Sequence, residues 1–510
     1  MTREVGLDGV TKDVMYSPMV KGVSPEARIA QVEAQVAARD ERIAQLEAQV
    51  AARDERIAQL EARVEELESQ VAQQKARLGL NSTNSSKPPS SDPPGMKRAP
   101  RAPTGRSPGG QPGHEYHERQ LLAPQQVDRI VELPPPDKCA GCQRKLEGTQ
   151  QEAQRYQQVE VPPLKPVVTE YRCQVVECAH CGTLNRAELA PEVAGHVFGE
   201  RLSALVCLLV GKYRLSKRMV QQALSDLLGV ELSLGAISNR EQEMSQALAA
   251  PVAQAEQYVR DQDKVNMDET GWVEGHVEGH GRLAWMWLMA CSLVAVFRIA
   301  TSRGSEVAKA LLGEDFAGIL TSDRWSGYNW YDPDLRQLCW SHLTRDFQGF
   351  IDRGGKGAET GQALMEERNR MFKWWHQVRE GTMSRAEFQD RMNAVEHEVG
   401  RLLRKASEQA EKKTAGVARE ILKLEQAMWT FVYVEGVEPT NNFGERLIRH
   451  SVMYRKTSFG TQSPAGSRFV GRILTTVTTC ALQKRNALEF LTEVLYAYRR
   501  GLPAPSLLPQ

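Results

Sequence analysis

From Ile29 to Leu78, apolar residues return in a heptad rhythm that a globular core cannot absorb. Position a holds Ile29, Val36, Ile43, Val50, Ile57, Val64, Val71 and Leu78. Position d holds Val32, Arg39, Leu46, Arg53, Leu60, Leu67 and Gln74. The block AARDERIAQLEAQV, starting at Ala37, recurs from Ala51 with Arg63 in place of Gln49. A lone helix would leave this stripe bare to water, so residues 25–79 are expected to form a leucine-zipper coiled coil. β-Branched residues at a with Leu at d favour two parallel strands, which predicts a homodimer or higher oligomer. Arg39 and Arg53 cost stability at d and can fix register.

The array ends at Gly79, and the chain changes character. Residues 80–120 are rich in Pro, Ser and Gly and cannot bury enough apolar surface to order themselves. From Ser85 to Gly113 the charges are Lys87, Lys97, Arg98, Arg101 and Arg106 against Asp92. That is a flexible basic linker, either a plain tether or one that rests on phosphates.

The whole chain of 510 residues carries a formal charge of +1, so only local patches bear on partners. No apolar run has the length of a membrane span, and the N-terminus lacks the apolar core of a signal peptide. The nine cysteines are an odd number, and four fall in two C-x-x-C pairs. That fits a reduced compartment, with the cytoplasm as the expected location.

The pairs are Cys139-Ala-Gly-Cys142 and Cys178-Ala-His-Cys181, with β-prone segments between them. Four thiolates can surround a structural Zn²⁺ tetrahedrally, so a small zinc-ribbon-like domain is expected over 121–195. Cys173 and His180 are substitute ligands. Residues 196–255 read as helical, and LSKRMVQQALSDLLGVELSLGAISNREQEM reads as helix, turn at Gly229, then helix from near Ser233. This suits a DNA-binding helix-turn-helix, although helical hairpins also occur for packing alone.

From Lys264 the period shortens. KVNMDETGWVEG, RLAWMWLMACS and LVAVFRIA read as strands, SEVAKALLG as a helix, AGILTSD as a buried strand, and LRQLCWSHL as a last strand. This order predicts a ribonuclease H-like mixed-sheet catalytic domain over 260–475 with a helical insert at 345–430, followed by a helical tail at 476–510. In such a sheet Asp268 and Asp323 lie on neighbouring strands. Two facing carboxylates repel unless protonated or bridged by a cation. Oxygen ligands suit two Mg²⁺ (or Mn²⁺) ions, which promote in-line phosphoryl displacement.

A third carboxylate comes from residues 438–469, EPTNNFGERLIRHSVMYRKTSFGTQSPAGSRF, read as a helix opening at Thr440 or Asn441. From Glu445 to Arg472 it has one acid, Glu445, among Arg446, Arg449, Arg455, Lys456, Arg468 and Arg472. Glu445 is expected to complete the metal site, while Arg449, Arg455 and Lys456 grip phosphates. Cys339-Trp340-Ser341-His342 invites a metal reading, but a strand end supplies only two ligands. His342 is expected to pack near the acids or to touch a phosphate. Trp374 and Trp375, inside the insert, read as core or as base-stacking residues.

Taken together, the zipper, NSSKPPSSD, GGQPGH, the paired knuckles, MDET, SDRWSGY, CWSHLTRDF and EPTNNFGERLIRHSVMYRKTSFG followed by GSRF resemble the large transposase of the insertion sequence 66 family (TnpC type). The resemblance spans essentially the full length. It implies a DDE transposase with Asp268, Asp323 and Glu445 as its acidic triad. It also implies terminal-inverted-repeat and target DNA as substrates, and small accessory proteins as partners. The expected chemistry is hydrolysis at the element end followed by attack of the freed 3′-hydroxyl on target DNA. The alternatives are a non-catalytic DNA-binding regulator and a structure-specific nuclease on the same fold. Overall the sequence predicts a multidomain α/β protein.

Overall fold

The computed structural model describes residues 25–78, 119–149, 151–277 and 280–509. The basic linker expected at 80–120 lies almost wholly outside these residues. The chain divides into two units, Met1–Asn84 and Ser85–Gln510. In the first, the heptad array is one continuous helix, α1 (Pro25–Leu78). Its apolar a and d residues from Ile29 to Val71 stand open to solvent, Ile29 being 58% and Leu60 51% exposed. No described helix is long and apolar enough to cross a membrane.

The described part of the second unit starts at residue 119 and carries little regular structure before residue 175. Its second knuckle, Cys178–Cys181, is the turn of a two-stranded antiparallel ribbon of β1 (Val175–Glu177) and β2 (Leu184–Arg186), and the first, Cys139–Cys142, precedes it in the chain. Four helices follow: α2 (Glu200–Gly211), α3 (Lys217–Leu228), α4 (Leu234–Ala247) and α5 (Ala249–Arg260). The α3–α4 corner forms where its sequence directs. The Ser216 hydroxyl caps α3, Gly229 ends it at φ +64°, and the Ser233 hydroxyl caps α4 by accepting from the Ala236 N–H.

The main sheet is built from β3 (Lys264–Val277), β4 (His280–Ala290), β5 (Ala295–Ala300), β6 (Ile319–Ser322) and β7 (Arg336–Leu338), in the spatial order β5-β4-β3-β6-β7. β3, β4 and β5 pair antiparallel, and β6 and β7 join parallel to β3. The crossover from β5 to β6 carries α6 (Ser305–Leu312), while β6 reaches β7 through two short 3₁₀ turns. β7 stops at Leu338, which corrects the expectation that LRQLCWSHL is one strand. Trp340 already opens α7 (Trp340–Asp352).

The insert continues with α8 (Gly355–Arg379), α9 (Arg385–Ser407), α10 (Lys412–Leu422) and the short α11 (Thr430–Tyr433). It owns a core of Trp340, Phe347, Phe388, Leu403 and Phe431, among others. Trp375 is buried there, its ring 5.3 Å from that of Phe431. The chain then returns through α12 (Asn442–Ser458), α13 (Pro464–Leu482) and α14 (Ala487–Arg499).

One core runs from α2 through the sheet to α14, across the boundaries expected near 255 and 475. Helices at both ends close the sheet edges. On β5, the N–H groups of Ala295 and Phe297 donate to the hydroxyls of Thr479 (3.1 Å) and Thr475 (2.8 Å) of α13. On β7, the side-chain oxygen of Gln337 accepts from the Phe431 N–H at 2.7 Å. The two β5 bonds occupy backbone donors of an edge that would otherwise recruit another strand.

Candidate active site

The parallel pairing fixes where the acids fall. β3 and β6 match Lys264 with Ile319, Val265 with Leu320 and Asn266 with Thr321. Carried two residues on, that register sets Asp268 beside Asp323, the residue that follows β6. The β6–β7 register, ending at Ser322 with Leu338, likewise sets Asp323 beside Cys339. Asp268, within β3, therefore lines up with Asp323 and Cys339, which follow the ends of β6 and β7.

α12 delivers Glu445 in its first turn. Asn441 precedes the helix as expected, but its side chain caps nothing. It is buried instead, donating to the Met267 carbonyl at 2.8 Å and accepting from Asn266 Nδ2 at 2.8 Å. This clamp docks the helix start on β3. Two further bonds hold the same loop: Asn441 N–H to Cys339 Sγ (3.1 Å) and Trp340 N–H to the Pro439 carbonyl (2.9 Å).

The three acids feel one another. Burial first, then the charges of Glu269, Asp323 and Glu445, push the Asp268 carboxyl well above the usual range. A bond from the Glu269 N–H to Asp268 Oδ1 (2.9 Å) opposes this only in part. Asp323 Oδ1 accepts from the Trp325 N–H at 2.9 Å, which fixes its orientation. The three carboxylates do not close on one another within 4.8 Å. Among the described residues, the donor atoms that converge so tightly belong to Cys339, His342 and Glu445. His342 Nδ1 lies 3.5 Å from Glu445 Oε1. Burial and then Arg345 lower its pKa, against the pull of Asp323, Glu445 and Asp346.

A second layer supports the row and was not foreseen from the sequence. Glu269 is buried, paired with Arg303 at 2.6 Å, and accepts from the Tyr328 hydroxyl at 2.7 Å. The Arg303 guanidinium carbon stands 4.7 Å from the Trp285 ring centre and 4.6 Å from that of Trp325. Arg336 is fully buried under the site, its pKa lowered to about 10 by burial, and donates to the Asp323 carbonyl at 3.2 Å. The Arg324–Asp346 ion pair (3.0 Å) ties the same loop to α7. Thus SDRWSGY supplies a candidate ligand, an ion pair, a stacking ring and a hydroxyl. A charged Arg inside the short run LRQLC was the signal available in the sequence.

Beside Asp323 and His342 a cleft of about 710 Å³ opens between the sheet end, α7 and α10. Arg303, Arg324, Arg345, Arg353 and Lys413 line it, outnumbering Asp323, Asp346 and Glu420. On α12, Arg446, Arg449 and Lys456 are exposed. The expected basic face is smaller than the sequence suggests. Arg455 donates to the Gly271 carbonyl of β3, and Arg472 to the Ser245 carbonyl at 2.5 Å. Both bonds face inward and hold helices in place.

The two knuckles fold alike. The residue after each second cysteine is left-handed, Gln143 at φ +60° and Gly182 at φ +71°. Gln143 N–H donates to the Cys139 carbonyl (2.9 Å), and Gly182 N–H to that of Cys178 (2.8 Å). Backbone N–H groups of Cys142 and Gly141 favour the Cys139 thiolate, and the Thr183 hydroxyl and N–H favour that of Cys181, so both pKa values are lowered. No three of Cys139, Cys142, Cys178 and Cys181 come within 4.8 Å of one another.

Comparison with known proteins matches residues 20–120 to a family of unknown function (DUF6444). A protein of Sinorhizobium fredii (strain NBRC 101917 / NGR234) described as the uncharacterized protein y4qI is 26% identical over 420 residues, covering 75% of this chain and 74% of its own. Residues 195–468, which carry the whole sheet, the cleft and all three acids, match the family described as "Transposase IS66 family". The match takes in more than half of the 510 residues, and the chain belongs to that family.

Proposed function

We propose that the chain is a DDE transposase that cuts and joins DNA at a metal site built by Asp268, Asp323 and Glu445. One observation carries this: the β3–β6 register sets Asp268 beside Asp323, the Asn441 clamp docks the start of the Glu445 helix on the same strand, and burial, then the charges of Glu269, Asp323 and Glu445, push Asp268 toward its protonated form. Carboxylates whose charges act on one another are a donor set that divalent cations relieve. The strand order β5-β4-β3-β6-β7, three antiparallel and two parallel, supports the ribonuclease H-like reading.

Two Mg²⁺ (or Mn²⁺) ions, when bound, would supply activation of the attacking oxygen and charge stabilisation on the leaving one. Asp268, Asp323 and Glu445 would hold them, with Asp323 steered by the Trp325 N–H. The exposed Arg449 and Lys456 would bind phosphates on either side of the cut. His342, its pKa lowered by burial and then Arg345, would face the scissile phosphate from the cleft. Arg345 and Lys413, which have no ion-pair partner among the described residues, would carry the strand beyond it.

The remaining modules fit the same activity. Zn²⁺ would draw the two knuckles together, since each already favours its thiolate. The open stripe on α1 would pair with that of a second copy, giving a dimer that holds two terminal inverted repeats. Accessory proteins of the same element would complete the assembly.

A labelled repeat-end duplex incubated with Mg²⁺ tests the reading. Wild-type protein should nick it and join the freed 3′-hydroxyl to target DNA. Glu445→Gln should do neither while keeping its far-ultraviolet dichroism. Intact cleavage by that variant would reject the triad. Cutting without joining would instead point to a nuclease.

A further inference from the structure

Cys339, His342 and Glu445 have the spacing of ligands around one small cation. Ligands about 2.3 Å (sulfur) and about 2.0–2.1 Å (nitrogen, oxygen) from a tetrahedral Zn²⁺ stand roughly 3.4–3.5 Å apart. Here Cys339 Sγ is 3.6 Å from Glu445 Oε1, and His342 Nδ1 is 3.5 Å from the same oxygen. All three atoms lie within 4.8 Å of one another.

A second feature points to a ligand. His342 Nδ1 is buried, yet it has no hydrogen-bond partner of proper geometry. Leaving such an atom unsatisfied is costly, and a metal ion would satisfy it. Support from behind is also present. Cys339 is 1% exposed, its sulfur accepts from the Asn441 N–H at 3.1 Å, and its carbonyl accepts from the His342 N–H at 2.9 Å. Burial and the Glu445 charge push the Cys339 thiol up to about 11 against the N–H aimed at its sulfur, a bias that a bound cation reverses, and the two backbone bonds fix both ligands on the α7 entry.

We propose that Cys339, His342 and Glu445 bind a divalent transition-metal ion of the zinc type, in addition to the all-oxygen site of Asp268 and Asp323. Sulfur and imidazole select such an ion over Mg²⁺. Binding releases the Cys339 thiol proton to solvent as the S–metal bond forms. This inference rests on the proposed function in one respect: Glu445 belongs to both sites. An ion held by Cys339 and His342 takes that carboxylate away from Asp268 and Asp323, so zinc opposes the Mg²⁺-dependent reaction. The protein thereby carries a metal-sensitive brake inside its active site.

The test uses the full chain, stripped with chelator, reloaded with Zn²⁺ and dialysed, with zinc per chain counted by mass spectrometry. Cys339→Ser and His342→Gln should each hold one ion fewer than wild type, whatever the knuckles retain. Cobalt-loaded wild type minus Cys339→Ser should show a thiolate-to-cobalt charge-transfer band. In the nicking assay, Cys339→Ser should need at least about tenfold more zinc for the same inhibition. Near-ultraviolet dichroism checks folding, and His342→Gln carries the comparison if the serine variant is not native. Equal zinc counts in wild type and both variants overturn the site. Cleavage by Glu445→Gln would reject the triad without changing those counts, so the two ideas fail separately.

Discussion

Asn441 Nδ2 donates to the carbonyl of Met267 at 2.8 Å, which joins the residue before Asp268 to the start of the helix bearing Glu445. Asn266 returns a bond to Asn441 Oδ1 at 2.8 Å. Two candidate ligands far apart in sequence are thus held in register by an amide pair rather than by the acids, which repel. The clamp makes a metal-free site possible, because the ions need not assemble it.

Asn441→Leu should therefore unlock α12 from β3. It orphans the Asn266 amide and the Met267 carbonyl, at a cost of roughly 2–4 kcal/mol. Urea unfolding should show the loss, and cleavage should fall with it. Wild-type stability in this variant would mean that the helix is held by packing alone.

Tyr328→Phe removes the hydroxyl that donates to Glu269 and leaves a buried carboxylate oxygen short of a partner. Burial and Asp323 already raise the Glu269 pKa, against Tyr328 and Arg303. The expected loss is about 1–3 kcal/mol, read as a lower melting temperature. Arg303→Lys should also destabilise, because an ammonium cannot both fork onto the carboxylate and stack on Trp285 and Trp325.

Without divalent metal, stability should fall as pH rises through the raised Asp268 pKa. The native state binds this proton more tightly than the unfolded chain does. The stabilising contribution is therefore full below the ordinary carboxylate value and is lost above the raised one. Melting curves across that window should slope downward for wild type and flatten for Asp268→Asn. Mg²⁺ at neutral pH should restore stability, by about 2.7 kcal/mol at a hundredfold excess over its Kd. A flat wild-type profile would remove the premise that the acids strain one another.

Gly471→Ala should destabilise, although the same change in an ordinary helix interior stabilises by roughly 0.5–1 kcal/mol. A Cβ at 471 would stand 2.9 Å from the Phe297 carbonyl oxygen of β5. To clear it, α13 would lift away, loosening the Thr475 and Thr479 bonds that close the sheet edge. Thermal melting gives the sign directly.

Deleting residues 1–84 should convert an oligomer into a monomer by light scattering at micromolar concentration. A monomeric full chain would instead show that the α1 stripe does not pair with itself.

Much of this architecture is legible in local pattern. The heptads give one helix over Pro25–Leu78, and Ser216, Gly229 and Ser233 mark the α3–α4 corner within a residue or two. The strand from Lys264 and the buried run before Asp323 announce themselves by β-branched and aromatic residues, and MDET and SDRWSGY point to their acids. In these places one short segment carries its own instruction, through period, cap or turn chemistry.

What the sequence could not display is which charges turn inward. Arg449 and Arg455 look alike on paper, yet one is exposed and the other is bonded to Gly271. Asn441 reads as a helix cap and serves as a clamp, because β3 offers it a carbonyl and an amide that no local window contains. CWSHL reads as strand, but β7 ends where α7 must start to pack Trp340 into the insert.

The sequence by itself determined most of the elements and the zipper stripe and singled out Asp268, Asp323 and Glu445 as candidates, since these follow from residue type and spacing along a short stretch. Only the tertiary structure decided that Glu445 comes within 3.6 Å of the Cys339 sulfur and 3.5 Å of His342 Nδ1, and near enough for its charge to act on Asp268. Those neighbours come from strands and helices distant in the chain. Their proximity is set by sheet register and by bonds to α12, neither of which any single segment encodes.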